Sequence, residues 1–132
     1  DFLAGQVSPI LGFLWSGLVI AAGMISNVGL NTVAEMIPTD PDEALAFWKL
    51  IETVHNGLGG GVEIVGGVWV LLISLRGIRL GILNRWLHYW GLLVGLAGSL
   101  TIVPGLEEVG AIFGLGQIVW FIWLGISFPR EK

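Results

Sequence analysis

The residue best placed for chemistry is a single glutamate inside a long apolar, glycine-rich stretch. Glu63 follows the run Gly57-Leu58-Gly59-Gly60-Gly61-Val62 and precedes Ile64-Val65-Gly66-Gly67. A carboxylate among apolar residues is costly unless it keeps a proton, a hydrogen bond or a cation, and inside membranes such residues often mark functional sites. The sequence therefore makes Glu63 the first candidate for a site.

Polar and small residues recur on the helical face that would carry this glutamate. Offsets of three, four, seven and eleven residues return to one face of a helix. That face holds Glu52, Asn56, Gly59, Gly60, Glu63 and Gly67. We predict a buried polar cluster centred on Glu63, joined by polar residues of the other segments and of its own: Glu52, Asn56, Asn27, Ser99 and Gln117. Such a cluster either fixes helix register or binds a small molecule, a lipid or a proton.

Metal, haem and catalytic sites receive little support. His55 and His88 fall near opposite ends of the predicted spans, so they cannot ligate one ion or one haem iron. The chain has no cysteine, and hence no disulfide or thiolate ligand. The glycine run lacks the Lys-Ser/Thr of a phosphate loop, and no Ser-His-Asp set can be placed. We expect no metal, no cofactor and no catalysis by this chain.

Composition places these residues in a membrane protein. Of 132 residues, 55% are hydrophobic and only 12% are charged, with a mean hydropathy of +0.85. Soluble domains carry about 25% charged residues. Seven tryptophans and 21 glycines fit the same class. The net charge of −4 and the lack of a basic patch exclude nucleic acid as a partner.

The apolar runs predict an all-α fold, an integral membrane four-helix bundle forming a single domain over 1–132. The predicted spans lie at about 9–30, 53–75, 86–103 and 108–128. Asp40-Pro41-Asp42-Glu43 has the form of a helix start, so 41–52 is predicted as an interfacial helical extension of the second span. Alternatively, the glycine run kinks this long helix.

Basic residues set the expected orientation. Five of the six lie in the second connection or the tail, namely Arg76, Arg79, Arg85, Arg130 and Lys132. The positive-inside rule then puts both termini in the cytoplasm. The first residue is Asp and not Met, so we expect further sequence before it.

Glycines are spaced for close helix contact. Gly57/Gly61, Gly91/Gly95 and Gly110/Gly114 match the pattern of small residues four apart that lets membrane helices approach. We predict packing roles for these six and for Gly60 and Gly67. The spacing does not tell whether the partner helix belongs to the same chain.

Three stretches carry a family resemblance: Thr53-Val54-His55-Asn56-Gly57, the segment Arg85-Trp86-Leu87-His88-Tyr89-Trp90-Gly91-Leu92-Leu93-Val94-Gly95, and the last span from Phe113 to Gly125. Over the C-terminal two thirds, their glycine and tryptophan spacing resembles small bacterial multi-pass membrane proteins catalogued only as a domain of unknown function. The resemblance implies a helical bundle in a bacterial membrane, the inner one, and supplies no catalytic residue.

These observations predict a small membrane subunit, or helix-packing module, without catalysis of its own. Its expected partners are the lipid bilayer and either further copies of itself or a larger membrane complex. The alternative is a membrane binder of a small molecule, lipid or proton centred on Glu63. A second alternative is an anchor for haem or quinone.

Overall fold

Helices make up the whole architecture of the residues that the structure describes. The structure, a computed structural model, covers residues 2–128, with side chains from residue 5 onward. Five α-helices and one π-helical turn follow in order: α1 Phe2–Met36, α2 Pro41–His55, the π turn Asn56–Gly60, α3 Ile64–Leu80, α4 Arg85–Leu100 and α5 Val109–Ser127. The predicted all-α class is confirmed for this range. Arg130 and Lys132, used above for orientation, lie outside it.

Local sequence signals explain most of the helix ends. Asp40 caps α2 by accepting the backbone N–H of Glu43 at 2.9 Å, and Asn84 caps α4 by accepting that of Trp86 at 2.9 Å. Gly81 ends α3 in the left-handed conformation, with φ +64°. The first helix differs from expectation, because it begins at Phe2 and includes Pro9 in its interior.

Helix α1 runs antiparallel to both α2 and α3, which follow one another in the same direction, and α4 runs antiparallel to α3 and to α5. Gly29 of α1 faces Ile51 of α2, and Gly12 of α1 faces Trp69 of α3, so α1 lies along both. The helix α3 packs mainly on α4, and α4 packs on α5. In contrast, α2 contacts chiefly α1 and the π turn.

The polypeptide between α2 and α3, residues 56–63, is interrupted and not continuously helical. Gly59 has φ +119°, a conformation that only glycine adopts readily. Beyond it, the backbone N–H groups of Gly61 and Val62 both donate to the carbonyl of Asn56. The continuous helical face predicted through Glu63 is therefore broken here, and the kink alternative describes the structure.

The interruption divides the molecule into two parts. The α4–α5 turn lies at its level, because Thr101 contacts Glu63 and Gly110 faces the carbonyl of Gly61. We call the first half of α1 with α3, α4 and α5 the core bundle. The remainder, residues 19–55, continues past this level as a two-helix hairpin, which we call the arm. Its helix α2 is about 22 Å long at 1.5 Å per residue.

Most of the buried side chains lie in the core bundle. Its buried apolar cluster consists of Val70, Leu87, Val94, Ala97, Phe113 and Trp120. Trp69 extends the cluster toward α1 by stacking on Trp15 at a centroid distance of 5.7 Å. Offset or edgewise aromatic contacts of this kind add stability beyond the area they bury.

Three helical segments in the described range are long and apolar enough to cross a membrane: Gly5–Met36, Pro41–Leu80 and Val109–Ser127. The helix α4, predicted as the third span at 86–103, has 16 residues and is not one of them. Large apolar side chains cover the outside of these segments, with Phe13 of α1 81% exposed and Leu115 of α5 70% exposed.

Candidate functional site

Glu63 is held at the interruption by two neighbouring helices. Its carboxylate oxygen Oε2 accepts the indole N–H of Trp15 at 3.0 Å, and its backbone N–H donates to Thr101 Oγ1 at 2.7 Å. The Thr101 hydroxyl in turn donates to the carbonyl of Gly98 at 2.7 Å. Since Thr101 is only 2% exposed, this short network ties the start of α3 to both α1 and the end of α4.

The glutamate lies at one end of the core bundle. It directly precedes α3 and sits level with the α4–α5 turn, while Arg76 and Arg79 lie about four turns away at the other end of α3. The sequence predicted this carboxylate within the span at 53–75 and left a kink at the glycine run as the alternative. The helical break places Glu63 at the end of α3, α4 and α5 that adjoins the arm.

His55 is the nearest ionisable neighbour of Glu63. Its ring Nδ1 lies 3.1 Å from the carbonyl oxygen of Ala22, and the opposite edge of the ring contacts Gly60. The imidazole is close enough to Glu63 for an electrostatic interaction. His88, by contrast, packs on Gly77 near the far end of α3, so α3 separates the two histidines.

The structure does not assemble the predicted polar cluster around Glu63. Glu52, Asn56 and Asn27 are exposed, and none of them hydrogen-bonds to Glu63. Ser99 donates instead to the carbonyl of Gly95 at 2.8 Å, within its own helix.

Gln117 is the one predicted member that lies deep in the core bundle without contacting Glu63. It is 6% exposed, and its Nε2 has no hydrogen-bond partner among the described residues. Trp15 and Thr101, which do bind Glu63, were missed by sequence reasoning. A tryptophan in the middle of the first span, away from either interface, was the available signal for one of them.

The geometry leaves one side of the carboxyl group open. Within residues 5–128, Glu63 Oε1 accepts no hydrogen bond, and the side chain is half-buried. Acids beside broken helices can hold a proton or, with unwound backbone carbonyls, a cation. No group of three His, Cys, Asp or Glu side chains in the described part of the chain could hold a metal ion.

Three of the eight glycines predicted to mediate helix contact lie directly against another helix: Gly67, Gly91 and Gly95. A Cβ built on Gly67 would stand 2.7 Å from the carbonyl oxygen of Gly95, so the two backbones touch. Gly91 faces Ser74 of α3 and, at 2.7 Å from its Cβ position, the indole nitrogen of Trp120.

The other five predicted glycines have different surroundings. Gly60 and Gly61 face side chains of their own segment, and Gly110 is in ordinary contact, 3.5 Å from a methyl carbon of Thr101. Gly57 and Gly114 have open space, with no other atom within 4 Å of a Cβ.

Comparison of the chain with protein-family models, with curated proteins and with solved structures gives no significant match.

Proposed function

We propose that this protein is a small integral membrane subunit without catalysis of its own, and that α1 is the helix by which it associates with a second copy. The observation that carries the proposal is how little of α1 the chain itself covers. Only 6% of the most apolar window of α1 is buried, against 28% for Pro41–Leu80 and 22% for α5.

The exposed face of α1 has the repeat of a helix–helix interface. Exposed residues alternate at spacings of three and four along its length: Ile10, Phe13, Gly17, Ile20, Met24, Asn27 and Asn31. A repeat of 3.5 residues is typical of helices that pair side by side in a left-handed supercoil. Gly17 adds a position of close approach, since nothing lies within 4 Å of its Cβ site.

Two asparagines on this face favour contact with another protein chain over contact with lipid. The amides of Asn27 and Asn31 are exposed, and the other members of this face, from Ile10 to Met24, are apolar or glycine. Apolar surroundings cannot satisfy an amide, whereas the same asparagine on a second copy can both donate and accept. A symmetric pair of α1 helices would therefore satisfy these groups within one self-complementary interface.

Cysteine cross-linking in the membrane tests this interface, because the natural chain contains no cysteine. Single cysteines at Phe13, Gly17, Ile20 and Met24 should form disulfide-linked dimers. A cysteine at Leu115, equally apolar and exposed on α5, should not. A stoichiometric second protein in mild detergent, without cross-links between copies, would give the face to a different subunit. A lone, uncross-linked chain would overturn the proposal.

The proposed topology has both termini in the cytoplasm of a bacterial inner membrane. Its support is that Arg76, Arg79 and Arg85 gather at one end of the core bundle, where the positive-inside rule expects the cytoplasm. Asp42, in the arm, then lies outside. A cysteine at Asp42 should react with an impermeant reagent added to intact cells, and one at Arg79 should not; the reverse labelling would invert the topology.

A second candidate function is reversible binding of a proton or a small cation at Glu63. The open Oε1 beside the helical interruption favours it. Infrared difference spectra recorded on adding acid or Na⁺ should show a carboxyl band that Glu63→Gln removes and Glu52→Gln retains. Identical spectra for the wild type and Glu63→Gln would leave Glu63 a structural residue. An absorption spectrum of the purified protein separates both candidates from a haem or quinone anchor.

A further inference from the structure

A cavity of about 280 Å³ opens at the basic end of the core bundle. It lies between α3 and α5, which both pack mainly on α4 and leave a gap over the first turn of that helix. Its walls are Ile73, Arg76, Gly77, Leu80, Ile82, Leu83, His88, Leu124 and Phe128. Apart from one guanidinium and one imidazole, every side chain in this wall is apolar.

The imidazole in the wall carries an unused hydrogen-bonding atom. His88 is 3% exposed, and its Nε2 lies 2.6 Å from the carbonyl oxygen of Ile82. Its Nδ1 has no partner among the described residues. With Nε2–H donating to Ile82, Nδ1 of the neutral ring can accept a hydrogen bond, and Nδ1–H of the charged ring can donate one. A carboxylic acid can donate a hydrogen bond to the neutral ring, and its carboxylate can accept one from the charged ring.

The guanidinium in the wall supplies a fixed positive charge. Arg76 is half-buried, lies against Gly5 of α1, and forms no ion pair or hydrogen bond within residues 5–128. Every carboxylate side chain of that range belongs to the arm, the interruption or the α4–α5 turn, at the opposite end of α3. Within residues 5–128, no acid at this end of α3 therefore competes with an anion for Arg76.

We propose that this cavity binds a single-chain amphiphile with an acid headgroup, such as a long-chain fatty acid. The headgroup is bound by Arg76 and His88, and the alkyl chain lies along Ile73, Leu83 and Leu124. At about 280 Å³ the cavity lies just below the range of about 300 to 1,000 Å³ that is usual for ligand pockets, so it suits one alkyl chain and not a two-chain lipid. The inference depends on neither the α1 interface nor Glu63.

Binding of ¹³C-carboxyl hexadecanoate to the full-length, delipidated protein in mild detergent tests this site. One equivalent should bind with a shifted carboxyl resonance, and Arg76→Gln should weaken binding about tenfold, the loss expected for one charge-assisted contact. Arg79→Gln removes the same charge from the same helix but lies outside the cavity wall, and should bind like the wild type. Hexadecanol, which lacks the acid, should bind at least about tenfold more weakly.

Variants whose side chains fill the cavity provide the complementary test. Leu124→Trp should occupy the chain-binding space and abolish saturable binding, and Ile73→Trp, on the opposite wall, serves if the first variant does not fold. Equal binding of hexadecanol and hexadecanoate would show that the observed binding is partition into detergent. Competition by inorganic phosphate, or equal losses with Arg76→Gln and Arg79→Gln, would show a general anion effect. Each of these outcomes overturns the proposal.

Discussion

The core bundle and the arm are built from the same kinds of residue but are stabilised differently. In the core bundle, two helices approach until their backbones touch at Gly67 and Gly95, and large side chains such as Trp120 are fully buried. In the arm, the only fully buried apolar residues are small or medium-sized: Ala22, Val33 and Ala44.

Two helices cannot enclose a core, and the arm shows the consequence. Ile20, Met24 and Val28 on α1 and Leu50 on α2 are each more than half exposed. A surface of this kind in an otherwise folded protein marks contact with lipid or another protein. The comparison therefore separates residues buried within the single chain from large apolar residues that the chain leaves exposed.

The largest effect should come from a matched pair of phenylalanines. Phe113 is 1% exposed in the core bundle and Phe13 is 81% exposed on α1. Phe113→Ala should lower the free energy of unfolding by about 3 to 5 kcal/mol, because it leaves a cavity. Phe13→Ala should leave the stability of the single chain nearly unchanged and weaken dimerisation. Unfolding in detergent and cross-linking yield measure the two effects; equal losses of stability would erase the distinction between the two parts.

Adding one methyl group to two glycines sharpens the comparison. Gly67→Ala should destabilise the protein by about 1 to 3 kcal/mol, because the new Cβ meets the backbone of α4. Gly114→Ala has open space and gains helix propensity, so it should stabilise by up to about 1 kcal/mol. Thermal unfolding of both variants should therefore shift in opposite directions. Shifts of the same sign would show that α3 and α4 are not in close contact at Gly67.

A pair of threonines tests the joint between the two parts. Thr101→Val removes the acceptor of the Glu63 backbone N–H and should cost about 1 to 3 kcal/mol, since that group is left unpaired. Thr53→Val, in the arm, removes only a bond to the preceding helical turn and should have little effect. Hydrogen exchange at Glu63 should accelerate in the first variant alone. Unchanged exchange there would mean that Thr101 does not hold the start of α3.

The smallest effect is expected in the α4–α5 turn. The backbone N–H groups of Glu107 itself and of Gly105 hold the pKa of the Glu107 carboxyl below its usual value. The ionised form is favoured in the folded protein, so its contribution is present above the unfolded pKa of about 4.3 and is lost as the pH falls through the lower folded value. The stability gap between the wild type and Glu107→Gln should close over that interval. A gap independent of pH would exclude the carboxylate as its cause.

Much of the fold could be predicted from local signals. Asp40 and Asn84 mark helix starts because their side chains satisfy free N–H groups, and this chemistry is readable in sequence. The apolar runs likewise give the helices, with boundaries shifted at Pro9. Whether the helix breaks was left open, because the run Gly57–Gly61 permits both a continuous helix and a kink. Tertiary contacts decide between them.

The partners of Glu63 could not be predicted for the same reason. Helical periodicity assigned Glu52 and Asn56 to its face, but the left-handed Gly59 ends that periodicity before Glu63 is reached. Trp15 and Thr101 come from distant parts of the chain, and one sequence holds no signal for such pairs. The glycines show a similar limit: Gly91/Gly95 and Gly110/Gly114 have the same spacing, yet only the first pair meets a neighbouring helix directly.

The two antiparallel helices of the arm differ in how they continue into the core bundle, and this difference has a mechanical consequence. α2 and α3 are separate helices joined at residues 56–63, whereas α1 is a single unbroken helix of 35 residues that extends past that joint. Any rotation of α2 about this joint must therefore bend α1. The stiffness of α1 thus restricts motion at the interruption. The first half of the same helix carries Trp15, which stacks on Trp69 and donates to Glu63, so a displacement of the arm would act on the contacts of Glu63 through α1.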